Sequence, residues 1–184
     1  MDAVTLLTAD HNRVRGMFTR FKAAKEAEDT EAMGMLCRSI FTELDVHTRI
    51  EEEIFYPAVK KEADEEIAET VDEGIEEHHV VDVLMEEIRQ LDVGSDEFVA
   101  KMTVLIENVE HHADEEEEDM FPDAREQLGE ERLTSLGDEL AARKAAVKAE
   151  QATRDELYEK AKERDVPGRS DMTKEELAEA VGED

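Results

Sequence analysis

Apolar residues recur every three or four positions over most of the first 125 residues, which is the spacing of one face of an α-helix. Four separate stretches show this spacing, over residues 4–21, 33–58, 67–88 and 98–120. No stretch shows the sustained alternation of apolar and polar residues that a half-buried strand requires. Four amphipathic helices joined by short loops predict an all-α chain built around an antiparallel four-helix bundle of about 125 residues.

Polar residues between these stretches mark the expected helix ends. The chain should break near residues 29–30, near residues 63–64 and over residues 93–96. Asp2 is a candidate N-cap for the first helix, and Ser95 or Asp96 for the fourth, because their short side chains can accept bonds from free backbone amides. Pro57 and Pro122 fall late in the second and fourth stretches, where we expect them to kink or end the helix.

A further helix is predicted after the fourth stretch. It follows Gly129 and should run from Glu130 to about Gln151. A short helical segment, residues 153–184, comes after it. We therefore expect two domains, a bundle with its trailing helix over residues 1–150 and a small module over residues 153–184.

The charge of the chain restricts its partners. The 184 residues include 52 acidic and 22 basic ones, so the formal net charge is -30. Such a charge argues against general binding to phosphate backbones or to anionic membranes. The single cysteine, Cys37, is expected to be a small core residue, and the absence of a possible disulfide fits a reducing, cytoplasmic location. The N-terminal residues have neither a basic region nor a long apolar run, so we expect no signal peptide and no transmembrane span.

Six polar side chains interrupt the apolar stripes of the four helices. They are four histidines and two glutamates: His11, His47, Glu51, His78, His112 and Glu116. A buried polar group without a partner costs about 1–3 kcal/mol, and a buried unpaired charge costs several. Six such residues in one small core therefore need a shared explanation, and imidazole together with carboxylate is a ligand set for a metal ion.

The same pattern occurs twice along the chain. Residues 47–57 read HTRIEEEIFYP and residues 112–122 read HADEEEEDMFP, each with a glutamate four positions and a proline ten positions after the histidine. Positions i and i+4 lie one above the other on a helix, so both side chains can reach one ion. Another histidine precedes each run, 36 residues before His47 and 34 before His112. The chain therefore contains two copies of a helical hairpin, each with His followed by His-x-x-x-Glu.

The repeat also assigns the neighbouring polar residues. His79 lies on a polar face and His111 has no proline ten positions later, so both are expected at the surface, with supporting roles behind the ligands left open. The remaining acids of the two runs are interpreted as a solvated face, from which any that lies near the site can tune a ligand: Glu52, Glu53, Glu117 and Glu118. Tyr56 is expected to pack in the core, with a hydrogen bond to the site as the alternative.

These residues resemble the hemerythrin-like HHE cation-binding domain. The resemblance covers roughly residues 1–150 and rests on His11, residues 47–51 (HTRIE), His78 and residues 112–116 (HADEE). It implies a four-helix bundle that holds two iron ions joined by an oxo or hydroxo bridge. It also implies that the four histidines are terminal ligands and that Glu51 and Glu116 bridge the ions. The ligand types suit Fe, and Mn or Zn as less favoured choices, whereas calcium would require mostly oxygen ligands.

The chain departs from oxygen-carrying hemerythrins at two points. Those proteins have a further histidine one turn before the third-helix ligand, where this chain has Gly74, and a His-x-x-x-x-Asp pair where this chain has His112 and Glu116. One histidine fewer opens one iron further, which disfavours reversible oxygen carriage. The expected function is reaction with, or sensing of, O2, hydrogen peroxide or NO, with a catalase-like or oxidase activity as its enzymatic form. Iron sequestration, or a redox sensor that signals to nucleic acid or protein through residues 153–184, is the alternative.

A ferritin-like site would use the same histidines differently. It requires Glu-x-x-His on two helices. Glu76 and His79 match this spacing on one helix, but the fourth helix has no glutamate three positions before either of its histidines. The motif His-Glu-x-x-His does not occur in the sequence, which argues against a zinc protease.

Residues 155–181, DELYEKAKERDVPGRSDMTKEELAEAV, resemble the small helix-extended-helix module at the start of transcription terminator Rho. Thr173 and Glu176 are placed for a capping box at its last helix. Its expected core residues are Leu157, Tyr158, Ala161, Val166, Met172, Leu177 and Val181. Relatives of the module can bind nucleic acid, but acidic residues outnumber basic ones here, so we expect an interaction or stabilising role first. The candidates for a nucleic-acid contact are Arg164, Arg169 and Lys174.

Overall fold

All the regular structure in the described part of the chain is helical. The computed structural model describes residues 1–169 and 172–182. The helices are α1 (Ala3–Glu26), α2 (Thr30–Ile50), α3 (Tyr56–Glu62), α4 (Glu65–Arg89), α5 (Asp96–Glu115), α6 (Phe121–Glu163) and α7 (Lys174–Val181). Two wider turns with π-helical geometry join α2 to α3 and α5 to α6, over Glu51–Phe55 and Glu116–Met120 respectively. The prediction of an all-α chain is therefore confirmed.

Side-chain caps begin the bundle helices at the expected breaks. A carboxylate oxygen of Asp2 accepts a bond from the Thr5 amide at 2.9 Å, and Asp29 and Asp64 cap α2 and α4 in the same way. Of the two candidates for the fourth bundle helix, Ser95 is the cap, because its hydroxyl oxygen accepts a bond from the Phe98 amide. Each cap satisfies a backbone donor that would otherwise have no partner within the helix.

We expect Pro57 and Pro122 to kink or end their helices, and of these two outcomes the ending is wrong. Pro57 lies in the first turn of α3 and Pro122 in the first turn of α6, and in both cases the helix continues past the proline. A proline lacks the amide hydrogen and its ring collides with the carbonyl four residues earlier. Here a π turn precedes each proline, and its wider winding changes which carbonyls face the ring. The second and fourth bundle helices therefore extend beyond the predicted sites.

Two apolar clusters fill the bundle, one towards each end. The first includes Leu7, Ile50, Phe55, Val71, Phe121 and Leu136. The second includes Phe18, Phe21, Ile40, Met85, Phe98 and Met102. Along α1 and α4 the chain passes from the first cluster to the second. Along α2, and along α5 with the π turn that follows it, the chain passes from the second cluster to the first. Helices that follow one another in the bundle are therefore antiparallel, with α1 packed on α2 and α4 packed on α5.

Cys37 lies in the second cluster, as expected for a small core residue. Burial raises the pKa of its thiol to about 11. The thiol is therefore protonated near neutral pH, and it is a poor nucleophile and a poor metal ligand.

Gly129 divides α6 into two helical arms. Its backbone has φ 78° and ψ 165°, outside the helical region, and a residue with a side chain rarely adopts this conformation. Beyond it, Leu133, Leu136 and Leu140 pack into the first apolar cluster. The trailing helix does not end near Gln151 as predicted, and it continues to Glu163 because the intervening sequence contains neither glycine nor proline.

The chain divides into two compact units, Met1–Ala141 and Ala142–Asp184. In the second unit, the buried residues Leu157, Ala161, Leu177 and Val181 form a small core, with Tyr158, Val166, Met172 and Ala178 packed against it. All seven residues expected in this core belong to it, and the capping box of Thr173 and Glu176 is present. Residues 170–171 and 183–184 of the predicted C-terminal module lie outside the described residues.

Two of the three candidate nucleic-acid contacts in this unit bind the unit itself. Arg169 donates to the Val166 carbonyl oxygen at 3.0 Å and lies over the ring of Tyr158, 6.0 Å from its centre. Arg164 donates to the carbonyl oxygen of Val181. These bonds use guanidinium donors and hold both side chains against the unit, while their charges are unchanged. Within the described residues, no helix is both long and apolar enough to cross a membrane.

Gly137 packs directly on the start of α1, and this contact generates a stability prediction. A Cβ atom at this position would approach the Asp2 carbonyl carbon to 2.8 Å and the Ala3 nitrogen to 2.9 Å, and it would overlap the Met1 carbonyl oxygen. Gly137→Ala should therefore lower the free energy of unfolding by about 1–3 kcal/mol, as overpacking usually does. Urea denaturation followed by circular dichroism measures this change.

Gly16→Ala is the matched control for Gly137→Ala. Gly16 also lies inside a helix, and nothing lies within 4 Å of a Cβ atom built there. Its replacement should stabilise the protein by up to about 1 kcal/mol through helix propensity alone. If both substitutions changed the free energy of unfolding by the same amount, Gly137 would not pack as closely on residues 1–3 as the structure shows.

Candidate metal centre

The six polar residues of the apolar stripes meet in one layer between the two apolar clusters. We call this layer the six-residue site: His11, His47, Glu51, His78, His112 and Glu116. None of the six is more than 6% exposed. α1 and α4 each contribute one histidine, and the other two bundle helices each contribute a histidine and a glutamate. The structure thus brings together every residue that the sequence predicts as a ligand.

The histidines form two pairs whose Nε2 atoms face each other. The Nε2 atoms of His11 and His47 are 3.0 Å apart, and those of His78 and His112 are 3.1 Å apart. In both pairs the rings meet edge to face, with centroids separated by 4.7 Å. Each pair therefore directs two nitrogen atoms at one point in the layer.

Each buried carboxylate faces one histidine from each pair. Glu51 places Oε1 3.1 Å from Nε2 of His47 and Oε2 3.5 Å from Nε2 of His78. Oε2 of Glu116 lies 3.2 Å from Nε2 of His11 and 3.8 Å from Nε2 of His112. Two overlapping ligand groups result, one of His11, His47, Glu51 and Glu116 and the other of Glu51, His78 and His112. Both could hold a metal ion, and Glu51 belongs to both.

The unsatisfied atoms of the layer fit a cation. Among the described residues, neither oxygen of Glu51 nor Oε2 of Glu116 accepts a well-aligned hydrogen bond, although all three atoms are buried and their polar neighbours are the Nε2 atoms of the histidines. Buried carboxylate oxygens normally accept hydrogen bonds, and leaving them without donors is costly. Positive metal ions placed between the nitrogen pairs and these oxygens would remove that cost. The residues present therefore fit a pair of bound metal ions.

Carboxylates behind three of the histidines orient their rings. Nδ1 of His11 bonds Glu117 at 2.8 Å, Nδ1 of His78 bonds Glu52 at 2.9 Å, and Nδ1 of His112 bonds Glu77 at 2.7 Å. A carboxylate acceptor at Nδ1 favours the tautomer that has its hydrogen there and the Nε2 lone pair free. These bonds fix the orientation of the rings, so that loss of the Nε2 proton leaves a lone pair directed into the layer, where a metal ion could bind it.

The fourth histidine has a longer contact of the same kind. Nδ1 of His47 lies 3.7 Å from Oδ2 of Asp10, which is itself 4% exposed. Asp10 precedes His11 in the chain as Glu77 precedes His78, and each of these acids faces the second histidine of its own hairpin. Glu52 and Glu117 each follow a buried glutamate and face the first histidine of the other hairpin.

Glu52 is exposed and Glu117 is partly exposed, as expected for a solvated face, and both also bond a histidine of the site, which is the tuning role given as the alternative. Asp10 and Glu77 were missed altogether, because isolated acids beside a histidine are common on helix surfaces. The signal that could have found all four is the repeat itself, since their positions are equivalent in the two hairpins. Glu53 and Glu118 are exposed, as expected.

An arginine supports one of these acids. Arg15 donates to Oε1 of Glu117 at 2.7 Å and to Asp114 at 2.7 Å. Burial acts to raise the pKa of Glu117, but the bonds from Arg15 and His11 outweigh it and lower that pKa. The His112 bond is the largest influence on Glu77 and lowers its pKa as well. Both acids therefore remain charged acceptors for the ring hydrogens.

Tyr56 contacts the site as well as packing in the core. Its hydroxyl donates to Oε1 of Glu116 at 2.9 Å and lies 3.4 Å from Nε2 of His78 and 3.5 Å from Nε2 of His112. Burial and the negative charges of Glu51 and Glu116 raise its pKa well above the usual value. Core packing alone was thus an incomplete prediction for Tyr56, because the hydroxyl reaches the ligands.

The two halves of the site differ at two equivalent positions. Tyr56 stacks on His78 with ring centroids 5.5 Å apart, and its counterpart in the other repeat, Phe121, stacks on His11 at 5.8 Å. The hydroxyl is therefore present in one half only. Gly74 lies four residues before His78, and a Cβ atom there would come to 3.0 Å from the Tyr56 hydroxyl. The half that contains His78 and His112 is thus the more polar, and its tyrosine hydroxyl occupies the space next to Gly74.

The buried histidines and Glu51 shift one another's pKa values. Burial acts to lower the pKa of His47, but Glu51 and Asp10 outweigh it and raise the pKa to about 10. Burial likewise opposes a charge on His78, yet Glu51 and Glu52 raise its pKa to about 9. Burial acts to raise the pKa of Glu51, whereas His47 and His78 hold it well below its ordinary value. A metal ion that binds here must replace protons.

Two cavities adjoin the site. One, of about 30 Å³, is almost entirely apolar and touches all four histidines, with Phe18, Leu44 and Val81 among its walls. We call it the apolar cavity. The other, of about 270 Å³, includes His112, Glu116 and Gly74 in its walls, together with several acidic residues. We call it the acidic pocket. His79 and His111 lie at the surface, as the repeat predicted.

Comparisons with known proteins agree with this geometry. The family profile described as the hemerythrin HHE cation binding domain matches residues 2–124. The chain is 32% identical over 146 residues to the uncharacterized protein Rv2633c of Mycobacterium tuberculosis, covering 78% of this chain and 85% of that protein. It is 26% identical over 148 residues to a DNA nickase of Nostoc sp., covering 80% of this chain, and the chain spans only 40% of the length of that relative.

A solved structure has the same fold. It is the crystal structure of a hemerythrin HHE cation binding domain-containing protein, the Rv2633c homolog from Mycobacterium kansasii. The TM-score is 0.69 at 24% identity, and the alignment covers 98% of this chain and 99% of that one. The family profile, the similarity to Rv2633c and the paired histidine and glutamate ligands lead to one conclusion: this chain belongs to the hemerythrin HHE cation-binding family.

Proposed function

We propose that the six-residue site holds a non-haem di-iron centre and that the centre decomposes hydrogen peroxide. The observation that supports the metal centre most strongly is the convergence of four Nε2 atoms on two buried carboxylates, three of whose oxygens accept no well-aligned hydrogen bond from the described residues. The two overlapping ligand groups favour two ions, with Glu51 and Glu116 between them. Mixed imidazole and carboxylate ligands suit iron, and manganese or zinc are the less favoured alternatives.

The apolar cavity supports a small ligand. Its volume of about 30 Å³ is roughly twice what one water molecule needs, so a ligand of two to four atoms fits and a larger substrate does not. Hydrogen peroxide, O2 and NO are all of this size. The nearly apolar walls favour neutral ligands over anions, because an anion would lose its hydration there without receiving hydrogen bonds.

Differences between the two halves favour peroxide decomposition over reversible oxygen binding. Oε2 of Glu116 lies nearer to Nε2 of His11, at 3.2 Å, than to Nε2 of His112, at 3.8 Å, so the half with His78 and His112 has the weaker carboxylate contact. Bound iron would supply both Lewis acidity and electron exchange. Tyr56 keeps its proton and donates it to Oε1 of Glu116, and because its hydroxyl oxygen lies within 3.5 Å of Nε2 of His78 and of His112, an oxygen atom of a bound peroxide could replace Glu116 as the acceptor. In the overall reaction, two molecules of hydrogen peroxide give one O2 and two water molecules, so no other reductant is required.

Metal content, the absorption spectrum and oxygen release test the proposal together. Protein reconstituted with iron should contain two iron ions per chain and show the near-ultraviolet bands of an oxo-bridged pair. Added hydrogen peroxide should release O2, measured with an oxygen electrode. Protein that takes up no iron would overturn the di-iron assignment, whereas iron-loaded protein that releases no O2 would overturn the peroxide reaction alone.

His112→Ala and His111→Ala separate the ligand from its exposed neighbour. His112 is 6% exposed and directs Nε2 into the site, whereas the side chain of His111 is 66% exposed. His112→Ala should reduce the iron bound at equilibrium by at least half, while His111→Ala should leave it unchanged. Iron assay after gel filtration gives both values. Equal losses in the two variants would contradict the register of the fourth bundle helix.

Tyr56→Phe tests the role of the hydroxyl in the half that contains His78 and His112. The variant keeps the stacked ring and should bind both irons, but its oxygen release should fall by about tenfold or more because a positioned proton donor is lost. Tyr158→Phe, at the other tyrosine of the chain, is the control and should behave as the parent protein. Unchanged turnover in Tyr56→Phe would remove the hydroxyl from the mechanism.

A further inference from the structure

A third group of metal-binding side chains lies outside the six-residue site. It consists of Glu77 on α4 and of His111 and Glu115 on α5, with one ligand atom of each within 4.8 Å of the other two. Nε2 of His111 lies 3.3 Å from Oε1 of Glu115. We call these three residues the outer group. Unlike the six-residue site it faces solvent, since the side chains of His111 and Glu115 are 66% and 48% exposed.

The acidic pocket contacts two of the three residues of the outer group and also the six-residue site. Glu77 and Glu115 are in its wall, and so are His112 and Glu116. Three further acids complete its charge: Glu73, Asp119 and Asp123. Among the residues with described side chains, no lysine or arginine contributes to the wall. The pocket therefore attracts cations along its whole length.

The inner end of the pocket offers a ligand atom to an arriving cation. Glu116 is 2% exposed, and its Oε2 accepts no well-aligned hydrogen bond from the described residues. Gly74 is also in the wall here, and its missing side chain leaves room for the Tyr56 hydroxyl and for Cε1 of His112, which would lie 3.0 Å and 3.3 Å from a Cβ atom at this position. The apolar cavity has different walls, which include Arg15 and few polar atoms, so it is a poor route for a cation.

We propose that Glu77, His111 and Glu115 bind a divalent metal ion transiently and deliver it through the acidic pocket to the six-residue site. The ion is of the class that prefers mixed imidazole and carboxylate ligands, such as Fe²⁺, Mn²⁺ or Zn²⁺. This inference rests on the proposed function in one respect, since the six-residue site must bind metal. It is independent of whether the loaded centre reacts with peroxide.

The outer group has the properties of a transfer site and not of a storage site. Three protein ligands leave several positions to water, and solvent reaches the ion easily, so exchange is fast and binding weak. The six-residue site offers six buried ligands shared by two ions, and is the stronger binder. An ion therefore gains free energy on moving inward.

Glu77 connects the two sites. Its Oε2 accepts the bond from Nδ1 of His112 at 2.7 Å, so the same carboxylate belongs to the outer group and orients an inner ligand. A substitution at Glu77 would disturb both sites at once. The outer group is therefore best tested at His111 and Glu115, which have no contact with the six ligands among the interactions of the described residues.

The test compares the rate of metal uptake with the final metal content. Metal-free protein is mixed anaerobically with Fe²⁺, and loading is followed by stopping the reaction with a chelator and assaying bound iron. In the double variant His111→Ala, Glu115→Gln the rate should fall about tenfold, in the range by which charged clefts raise local ion concentrations. The final iron content should equal that of the parent protein.

The matched control is the double variant His79→Ala, Glu118→Gln. It removes the same kinds of side chain from exposed positions outside the acidic pocket. The control should load at the parental rate. Glu115→Gln alone should give an intermediate rate, which provides a second measurement if the double variant folds poorly.

The outcomes separate this inference from the proposed function. If the parent protein binds no iron, the proposed di-iron centre fails and the delivery route fails with it. If the parent binds iron and the double variant loads as fast as the control, only the delivery route is wrong. If the double variant loses iron at equilibrium as His112→Ala does, His111 and Glu115 support the centre itself and the transfer role is overturned.

Discussion

The structure depends on a buried polar layer whose nitrogen and oxygen atoms find no sufficient partners in the surrounding apolar core. Four imidazoles and two carboxylates lie at most 6% exposed between two apolar clusters, and three of the carboxylate oxygens accept no well-aligned hydrogen bond from the described residues. Each unsatisfied buried group costs about 1–3 kcal/mol, so the layer opposes folding unless cations or protons balance it. The helix register, the caps and the acids behind the histidines can be understood as means of holding this layer ready for metal ions.

The two π turns place the carboxylates within that layer. Each begins at a buried glutamate, Glu51 or Glu116, and each is followed by an aromatic residue and a proline. The wider turn brings the glutamate inward, four residues after its histidine, and then carries the chain past the proline. Tyr56 and Phe121 follow the turns and stack on histidines contributed by the other hairpin. The same π turn, which occurs once in each hairpin, thus positions both a buried glutamate and the aromatic ring that stacks on a histidine. Such π turns are frequent at functional sites.

The sequence predicted the parts of this arrangement that follow from helical periodicity. The four helices, their caps and the meeting of six polar residues in one layer all follow from which positions share a helix face. What it did not predict depends on contacts between hairpins. Glu52 looks solvated in its own helix and is recognised as a histidine partner only when His78 of the other hairpin is placed beside it. Pro57 looks like a helix end because local rules contain no π turn to precede it.

The central claim is that two metal ions lie in this layer, and anomalous diffraction at the iron absorption edge tests it most directly. Crystals of the iron-loaded protein should show two anomalous peaks separated by about 3.5–4 Å, the usual distance in two-metal sites. One peak should lie within bonding distance of the Nε2 atoms of His11 and His47, and the other within bonding distance of those of His78 and His112. Glu51 and Glu116 should contact the ions. A single peak, or peaks away from these six residues, would contradict the account.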